Sequence, residues 1–454
     1  MINHTLFPAR ETIVRWLAYM NNLGPRLTRS TAHAQFTAYI KSELESFGIP
    51  ALVDTIPFVR WEQRNARLTV DQSEAVEINL SAAFPYSGQT PPEGVSGELI
   101  ACPKKRDINS VKDKIVLVEM RVYALPSARI FKRWRGTGRL PPMMRSPVVA
   151  STLKGNLTRY REAGAKGVVF VWRGISAENA AHQYLPFTTP YQDCPAVFVP
   201  PEAGRTLRSL YNKGVTATLT LEADIGNATS DTVYGVLPGS NDAECIIINT
   251  HTDGPNACQE NGPVGLLALA RYFSLLPTEQ RQRTLVFVFT TGHFQLPQFG
   301  IDGQATSRWL SAHPELWDGQ SGRRAVAGLT LEHLGAMGWR DAKTHDGHTY
   351  LPTGDIEPEL IYASNRMMAD IYTKASAGRT KGRPVLLKPA RMYFGEGEPL
   401  HKVGIPTLSM VPAPQYLCAA PPGGYIEKLD TELMEQQIQT FANAIHMIDQ
   451  TTLS

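Results

Sequence analysis

The stretch CIIINTHTDGPNACQENGPVGLLALARYFSLL, residues 245–276, decides the fold. Its apolar, β-branched start predicts a strand, and the apolar residues after Pro263 predict a helix that runs to Leu276. Between them lies a short Gly/Pro loop that begins with His251 and Asp253. Ligands bind at the carboxyl ends of strands in open α/β sheets, so we expect the chemistry in this loop.

The composition is that of an ordinary soluble globular protein, with 454 residues, 43% of them hydrophobic and 19% charged. This length predicts two domains. A net charge of +3 is too small to favour a nucleic-acid partner. The five scattered cysteines contain no Cys-x-x-Cys pair, so they predict neither a disulfide framework nor a zinc knuckle.

The expected location is the cytoplasm. Residues 1–24 contain neither the apolar core nor the cleavage site of a secretory signal. No apolar run approaches the roughly 20 residues that span a bilayer, so no membrane partner is expected. The cysteine usage fits a reducing compartment.

Before the central stretch, the pattern predicts helices over residues 9–23 and 31–47, followed by short alternating strands over 51–80. Residues 85–225 then alternate short β runs with Pro/Gly loops, which predicts an inserted β-rich domain. Within the insertion, residues 129–145 carry six basic side chains. This segment is either a solvated loop or a lid that brings positive charge over an acidic substrate.

After residue 225 the main domain resumes with apolar strands that alternate with helices, the pattern of a sheet covered on both faces. The last helix is predicted from Thr431, with an apolar stripe that packs on the sheet. The expected division is therefore residues 1–84 and 226–454 for the main domain and 85–225 for the insertion.

The order of these parts resembles the M28 family of zinc metallopeptidases that carry an inserted protease-associated domain. In the main domain the resemblance rests on His251-Thr-Asp253, the helix start Asn261-Gly-Pro-Val-Gly265, the turn Glu332-His-Leu-Gly335 and Gly404-Ile-Pro406. In the insertion it rests on Asp113-Lys-Ile-Val-Leu-Val, Ala163-Gly-Ala-Lys-Gly-Val-Val-Phe-Val and Cys194-Pro-Ala-Val-Phe-Val. The resemblance implies an α/β fold: a three-layer, mixed-sheet, aminopeptidase-like (phosphorylase/hydrolase-like) domain with an inserted β-rich domain.

The resemblance also implies a site with two zinc ions bridged by an aspartate, with a glutamate as general base. His251 and Glu332 match ligands of the first zinc, and Asp253 matches the carboxylate that orients the histidine. The bridging aspartate falls on Asn261, with Glu260 adjacent. The family's Glu-Glu pair falls on His293-Phe294, and its late Tyr-His falls on Tyr416-Leu417.

These substitutions predict a reduced metal site, because phenylalanine and leucine supply no donor to zinc. We expect at most one zinc per chain, held by His251 and Glu332 with Asn261 as a weak third donor, or no metal. His293 then takes the position of the general base, with Asp253 and Glu260 as the other catalytic residues.

Several further residues have two interpretations. Cys258 is a nucleophile or, more simply, a small apolar loop residue, and His333 is expected to be structural. Glu396, Glu398 and His401 form a substrate-binding loop or a solvated turn, and Tyr416 is a further substrate-binding candidate.

Two functions follow from these patterns. The first is an enzyme, an amide or peptide hydrolase or a related acyl-transfer or cyclising enzyme, that acts on a short peptide or a small amino-acid derivative. The second is a binding protein that keeps the peptidase fold without hydrolysis. A homodimer is compatible with either function.

Overall fold

The computed structural model describes residues 2–134, 138–345, 347–390 and 392–451. The helices are α1 (Arg10–Asn22), α2 (Thr31–Ser46), α3 (Ser127–Ile130), α4 (Pro147–Lys154), α5 (Thr158–Glu162), α6 (Ala177–Ala180), α7 (Pro201–Leu210), α8 (Gly262–Ser274), α9 (Leu296–Phe299), α10 (Thr306–Ala312), α11 (Arg366–Ala375), α12 (Gly397–Lys402) and α13 (Thr431–Gln450).

The strands are β1 (Ala51–Asp71), β2 (Ala75–Glu77), β3 (Ala82–Ala83), β4 (Val95–Ala101), β5 (Ile115–Arg121), β6 (Leu125–Pro126), β7 (Lys132–Arg133), β8 (Met143–Met144), β9 (Gly167–Arg173), β10 (Ala196–Val199), β11 (Thr216–Leu237), β12 (Asn241–His251), β13 (Arg283–Thr290), β14 (Arg324–Leu331), β15 (Met337–Thr344), β16 (Gly347–Ile356), β17 (Glu359–Ala363), β18 (Pro384–Lys388) and β19 (Thr407–Met410).

Most strands belong to one large mixed sheet in the order β3-β10-β9-β5-β4-β11-β13-β12-β14-β19-β17-β18-β7. Strands β13, β12, β14 and β19 are parallel to one another, whereas β11 is antiparallel to β13 and β17 is antiparallel to β19. The carboxyl ends of the four parallel strands therefore meet at one edge of the sheet.

The sheet is covered on both faces, as the apolar pattern predicts. Along β12, Ile246 and Ile248 face the larger core with α1, α2, α8, α11 and α13, while Cys245 and Ile247 face a second core with α10 and α12. This alternation follows from the two-residue period of a strand, with both faces buried. The three-layer α/β architecture expected from the sequence is confirmed.

The region 51–80 differs from the short strands that its pattern predicts. β1 is one continuous strand of 21 residues, and it pairs antiparallel with the 22-residue β11 from Ala51 to Val70, with one bulge at Gln63/Asn65. Pairing with a partner of equal length overrides the local breaks in its pattern. The long β11 also pairs with β13 at one end and with β4 at the other, so it joins the two halves of the large sheet.

The basic segment 129–145 is partly built into the fold. Within it, β7 pairs with β18 at the far edge of the main sheet, and the indole of Trp134 donates a hydrogen bond to the carbonyl of Ala363. Arg135, Gly136 and Thr137 lie outside the described residues. None of the described helices combines the length and apolar character needed to cross a membrane.

Candidate active site

Five polar side chains meet at the carboxyl edge of the parallel strands. His251 ends β12, and Asp253 follows it; His293 follows β13, and Glu332 and His333 follow β14. All five side chains are buried, with at most 5% of their surface exposed. The fold thus joins segments that are far apart in the sequence.

Asp253 connects the ends of β12 and β13 through hydrogen bonds. Its Oδ1 accepts a hydrogen bond from the backbone N–H of His293, and its Oδ2 accepts bonds from the hydroxyl of Thr28 and the N–H of Phe294. Burial alone would raise the pKa of Asp253, but the bond with His251 and the nearby histidines hold it far below its usual value. Asp253 therefore carries a negative charge next to His251.

His251 and His333 are oriented by backbone carbonyls. The Nδ1–H of His251 donates to the carbonyl of Asp253 at 2.8 Å, and the Nδ1–H of His333 donates to the carbonyl of Pro412 at 2.6 Å. In each ring Nε2 is left to face the cluster. Metal-binding histidines are typically fixed in this way by a bond from their second nitrogen.

Four buried side chains in this region could together bind a metal ion. Ligand atoms of His251, Glu260, Glu332 and His333 all lie within 4.8 Å of one another. Glu260 Oε2 is 3.4 Å from His251 Nε2 and 3.2 Å from His333 Nε2. These three atoms are buried without a hydrogen-bond partner, a costly arrangement that a metal ion would relieve. Two imidazole nitrogens and two carboxylates are donors that zinc accepts.

The electrostatics of the cluster favour a positive charge. Burial lowers the pKa of His251, but its bond with Asp253 and the charges of Glu260 and Glu332 outweigh burial and raise that pKa to about 10. The carboxylates of the cluster therefore favour a positive charge at this position. A divalent cation would satisfy the same carboxylates.

Glu260, rather than Asn261, supplies the carboxylate of this cluster. Both polar ends of the Asn261 amide bond the backbone of Leu334, so the weak ligand expected at this position is used elsewhere. Glu260 Oε1 accepts hydrogen bonds from the N–H groups of Gly262 and His333.

His333 is also in the cluster, whereas the sequence suggests a structural residue. Its backbone is left-handed, with φ of 57°, a conformation that a non-glycine residue adopts rarely. This turn lets two consecutive residues, Glu332 and His333, offer atoms to the same cluster. The sequence indicates a turn at Glu332-His-Leu-Gly335 but not the left-handed backbone at His333.

His293 lies beside the cluster in the position expected for a base. Its ring stacks on that of His251 with centroids 4.0 Å apart, and its Nδ1–H donates to Glu396 Oε1 at 2.5 Å. Glu396 Oε2 accepts a bond from the N–H of Thr306. Burial favours the neutral acid, but the bond with His293 and nearby charges lower the pKa of Glu396. Glu396, a substrate-binding candidate from the sequence, therefore orients His293.

The two apolar residues that the sequence places at second-zinc ligand positions lie in one cluster. Phe294 packs on Phe187 and Tyr184, with ring centroids 4.9 and 6.0 Å apart, and Leu417 packs against the same cluster. Phe187 also packs on His293 at 5.4 Å. Aromatic rings therefore cover the His293 side of the site.

The other sequence candidates are not brought into the cluster. Glu398 pairs with Lys402 at 3.3 Å, and His401 packs beside Tyr393. Tyr416 is buried, and its hydroxyl donates to the carbonyls of Met337 and Lys428.

Cys258 has the character of a structural residue. Its side chain is fully buried, and burial raises the pKa of its thiol well above the usual value. A thiol held in the protonated form is a poor nucleophile. The apolar interpretation of Cys258 is the one that this environment favours.

The connection between α1 and α2 contributes residues that the sequence does not single out. The fully buried Arg26 exchanges backbone hydrogen bonds with Gly254, and its guanidinium donates to the carbonyls of Asn256 and Glu260. Thr28, from the same connection, holds Asp253. A cavity of about 530 Å³ lies beyond them, lined by Thr28, Trp61 and Tyr184 among other residues.

No known protein family matches the sequence as a profile, and no curated protein is significantly similar to it. Solved structures match over nearly the whole chain. BSAP, a zinc aminopeptidase from Bacillus subtilis, superposes with a TM-score of 0.66 at 16% identity, covering 99% of this chain and 97% of that one. The Peptidase M28 precursor from Shewanella amazonensis SB2B has a TM-score of 0.66 at 14% identity, covering 98% of each chain.

An aminopeptidase from Aneurinibacillus sp. strain AM-1 gives a TM-score of 0.61 at 18% identity, covering 97% of this chain and 93% of that chain. At these identities the likeness concerns architecture, since unrelated functions share folds. The chain therefore has the fold of the M28 zinc aminopeptidases.

Proposed function

We propose that this protein is an amide or peptide hydrolase that binds a single divalent metal ion, zinc being the first candidate. The observation that carries the proposal is the convergence of three buried, unpartnered atoms, His251 Nε2, Glu260 Oε2 and His333 Nε2. Glu332 completes a set of four ligands. A peptidase-like hydrolase fold supports the reaction class.

The donor set fits one ion better than two. Phe294 and Leu417 supply no ligand, and the amide of Asn261 is bound to backbone. A bound zinc ion would supply Lewis-acid polarisation of a carbonyl and would lower the pKa of a water molecule.

The protein's own residues supply the proton transfer. Glu396 fixes the Nδ1–H of His293, so Nε2 is the atom that takes a proton from the attacking water and later gives it to the leaving amine. The ionised Glu396 stabilises the imidazolium that forms in between. His293 is 5% exposed beneath Phe187, so substrate entry requires the segment of the insertion that carries Phe187 to move.

Zinc binding tests this proposal directly. The purified protein should hold at most one zinc per chain by elemental analysis. His333→Ala should weaken zinc binding by at least about 100-fold, because loss of a direct ligand costs more than loss of an outer-shell partner. His401→Ala is the matched control, since His401 lies outside the cluster. Two tightly held zinc ions, or an unchanged affinity in His333→Ala, would contradict the proposed site.

The second candidate is a binding protein without hydrolytic activity. It is favoured by the apolar second-ligand positions and by the cover that Phe187 places on His293. Tight zinc binding by a chain that turns over no amide substrate would support this candidate.

A further inference from the structure

We propose that the site selects amides whose acyl side carries no charge, such as N-acylated amino-acid amides, and excludes substrates with a free α-ammonium group. This inference rests on the proposed function. It is drawn from how each acidic side chain near His293 is used and from the chemistry of the wall opposite the cluster.

Two of the buried carboxylates are fully engaged within the protein. Asp253 accepts hydrogen bonds at both oxygens, from the N–H of His293 and from Thr28 and Phe294. Glu396 accepts from His293 at one oxygen and from the N–H of Thr306 at the other. Every oxygen of these two carboxylates therefore already accepts at least one hydrogen bond inside the protein.

The other two carboxylates belong to the proposed metal site. Glu332 Oε1 accepts a bond from the N–H of Glu396, and Glu260 Oε1 holds the N–H of His333. The other oxygen of each, Oε2, faces His333 Nε2, at 3.8 Å for Glu332 and 3.2 Å for Glu260. With a metal bound, these oxygens are ligands and are not available to a substrate.

Two further acids are already paired with basic residues. Glu62 lies in the cavity that Tyr184 lines and pairs with Arg60 at 3.0 Å, and Glu398 pairs with Lys402. Neither is an unpaired carboxylate that would attract a substrate ammonium.

The wall that faces His293 is aromatic and apolar. It consists of Phe187 and Phe294 with Tyr184 behind them. Placing an unpaired ammonium against such a wall is unfavourable because the charge loses its hydration, whereas an acetyl or longer acyl group would gain contact area there. The geometry thus favours a neutral group.

The test compares two substrates that differ in one charge, L-leucine 4-nitroanilide and N-acetyl-L-leucine 4-nitroanilide, with the zinc-loaded protein. We expect kcat/KM for the acetylated compound to be at least 10-fold higher at pH 6.5. The rate for the free amine should rise as pH increases through about 8, where an α-amino group loses its proton. A higher kcat/KM for the free amine at pH 6.5 would overturn the inference.

A binding measurement separates this inference from the proposed hydrolysis. If neither anilide is cleaved, the proposed function fails, and calorimetric titration of N-acetyl-L-leucinamide against L-leucinamide decides the inference alone. Tighter binding of the acetylated amide supports it. Tighter binding of leucinamide, or no binding of either, counts against it.

A substitution at Phe187 tests whether an added negative charge reverses the substrate preference. Phe187→Asp should shift preference towards the free amine by at least 10-fold, because it adds a carboxylate beside His293. Phe187→Leu is the matched control and should keep the preference for the acetylated amide. Phe187 is buried, with 9% of its surface exposed, so a melting curve checks that both variants fold. An unchanged preference in a folded Phe187→Asp protein would contradict the proposed wall.

Discussion

Single hydrogen bonds decide what the histidines of this site can do. His251 and His333 give their Nδ1–H to backbone carbonyls, so Nε2 faces the acidic cluster. His293 gives its Nδ1–H to a carboxylate instead, at 2.5 Å. The first arrangement leaves Nε2 of both rings for a metal ion, and the second suits a base, because a carboxylate bonded to Nδ1–H stabilises the imidazolium.

Glu396→Gln tests this division of roles. The glutamine keeps the size of the side chain but loses the charge that stabilises protonated His293, so kcat should fall about 10- to 100-fold while zinc content stays unchanged. The pH profile of kcat should shift with it, since a purely structural residue would leave that profile in place. His293→Ala should abolish turnover with little loss of stability.

Glu398→Gln is the control, because Glu398 lies two residues further on and pairs with Lys402. An unchanged kcat in Glu396→Gln would remove Glu396 from the mechanism.

At the scale of elements, the connection between α1 and α2 supports the loop that carries Glu260. Arg26 forms a two-way backbone bridge with Gly254, and its guanidinium donates to carbonyls of Met20, Asn256 and Glu260. Burial is the main cause that lowers the pKa of Arg26, to about 10, but the group stays protonated at neutral pH. The N–H donors of its guanidinium therefore link two segments that are distant in the sequence.

Arg26→Lys should loosen this connection. A lysine cannot reproduce a planar fork, so buried carbonyls lose partners, and the free energy of unfolding should fall by about 2 to 4 kcal/mol. Zinc affinity should fall as well, because the loop positions Glu260. Urea unfolding and zinc titration measure the two effects.

Arg29→Lys is the control on the same connection, because Arg29 is exposed and its substitution should change stability by less than about 0.5 kcal/mol. Wild-type stability in Arg26→Lys would show that the guanidinium does not hold the loop.

For the whole molecule, the buried cluster lies where the ends of the parallel strands meet the connection between α1 and α2. His33, at the start of α2, is buried there as a neutral ring: Nδ1 accepts from the N–H of Arg29, and Nε2 bonds Thr252 Oγ1 at 2.8 Å. Burial, only partly offset by Asp253, lowers the pKa of His33 to about 4. Protonating Nδ1 of His33 would break the hydrogen bond that this atom accepts from Arg29.

His33 should therefore contribute to acid sensitivity. Between about pH 6.5 and pH 4 the unfolded chain binds a proton at this residue and the folded chain does not, so stability falls as the pH is lowered, by roughly 3 kcal/mol in total. His33→Gln replaces the ring with an amide that does not titrate. Urea unfolding at pH 7 and pH 4.5 should show a smaller loss of stability in the variant, and equal losses would contradict this assignment.

Much of the fold was predictable because its signals are local. The helices expected at residues 9–23 and 31–47 are Arg10–Asn22 and Thr31–Ser46, and Ser30 caps the second one through a bond from the N–H of His33. The length of β1 was not predictable, because it depends on a partner strand that lies more than 140 residues later in the chain.

The sequence by itself determined the layered α/β architecture and the position of His251 and Asp253 at a strand end, since apolar periodicity and Gly/Pro breaks act over a few residues. Which other side chains lie beside His251 and Asp253 was decided only by the tertiary structure. Glu260 contacts His333 across 73 residues, His293 contacts Glu396 across 103, and Thr28 contacts Asp253 across 225. Such contacts depend on strand order and on the left-handed turn at His333, which arise from packing of the whole chain.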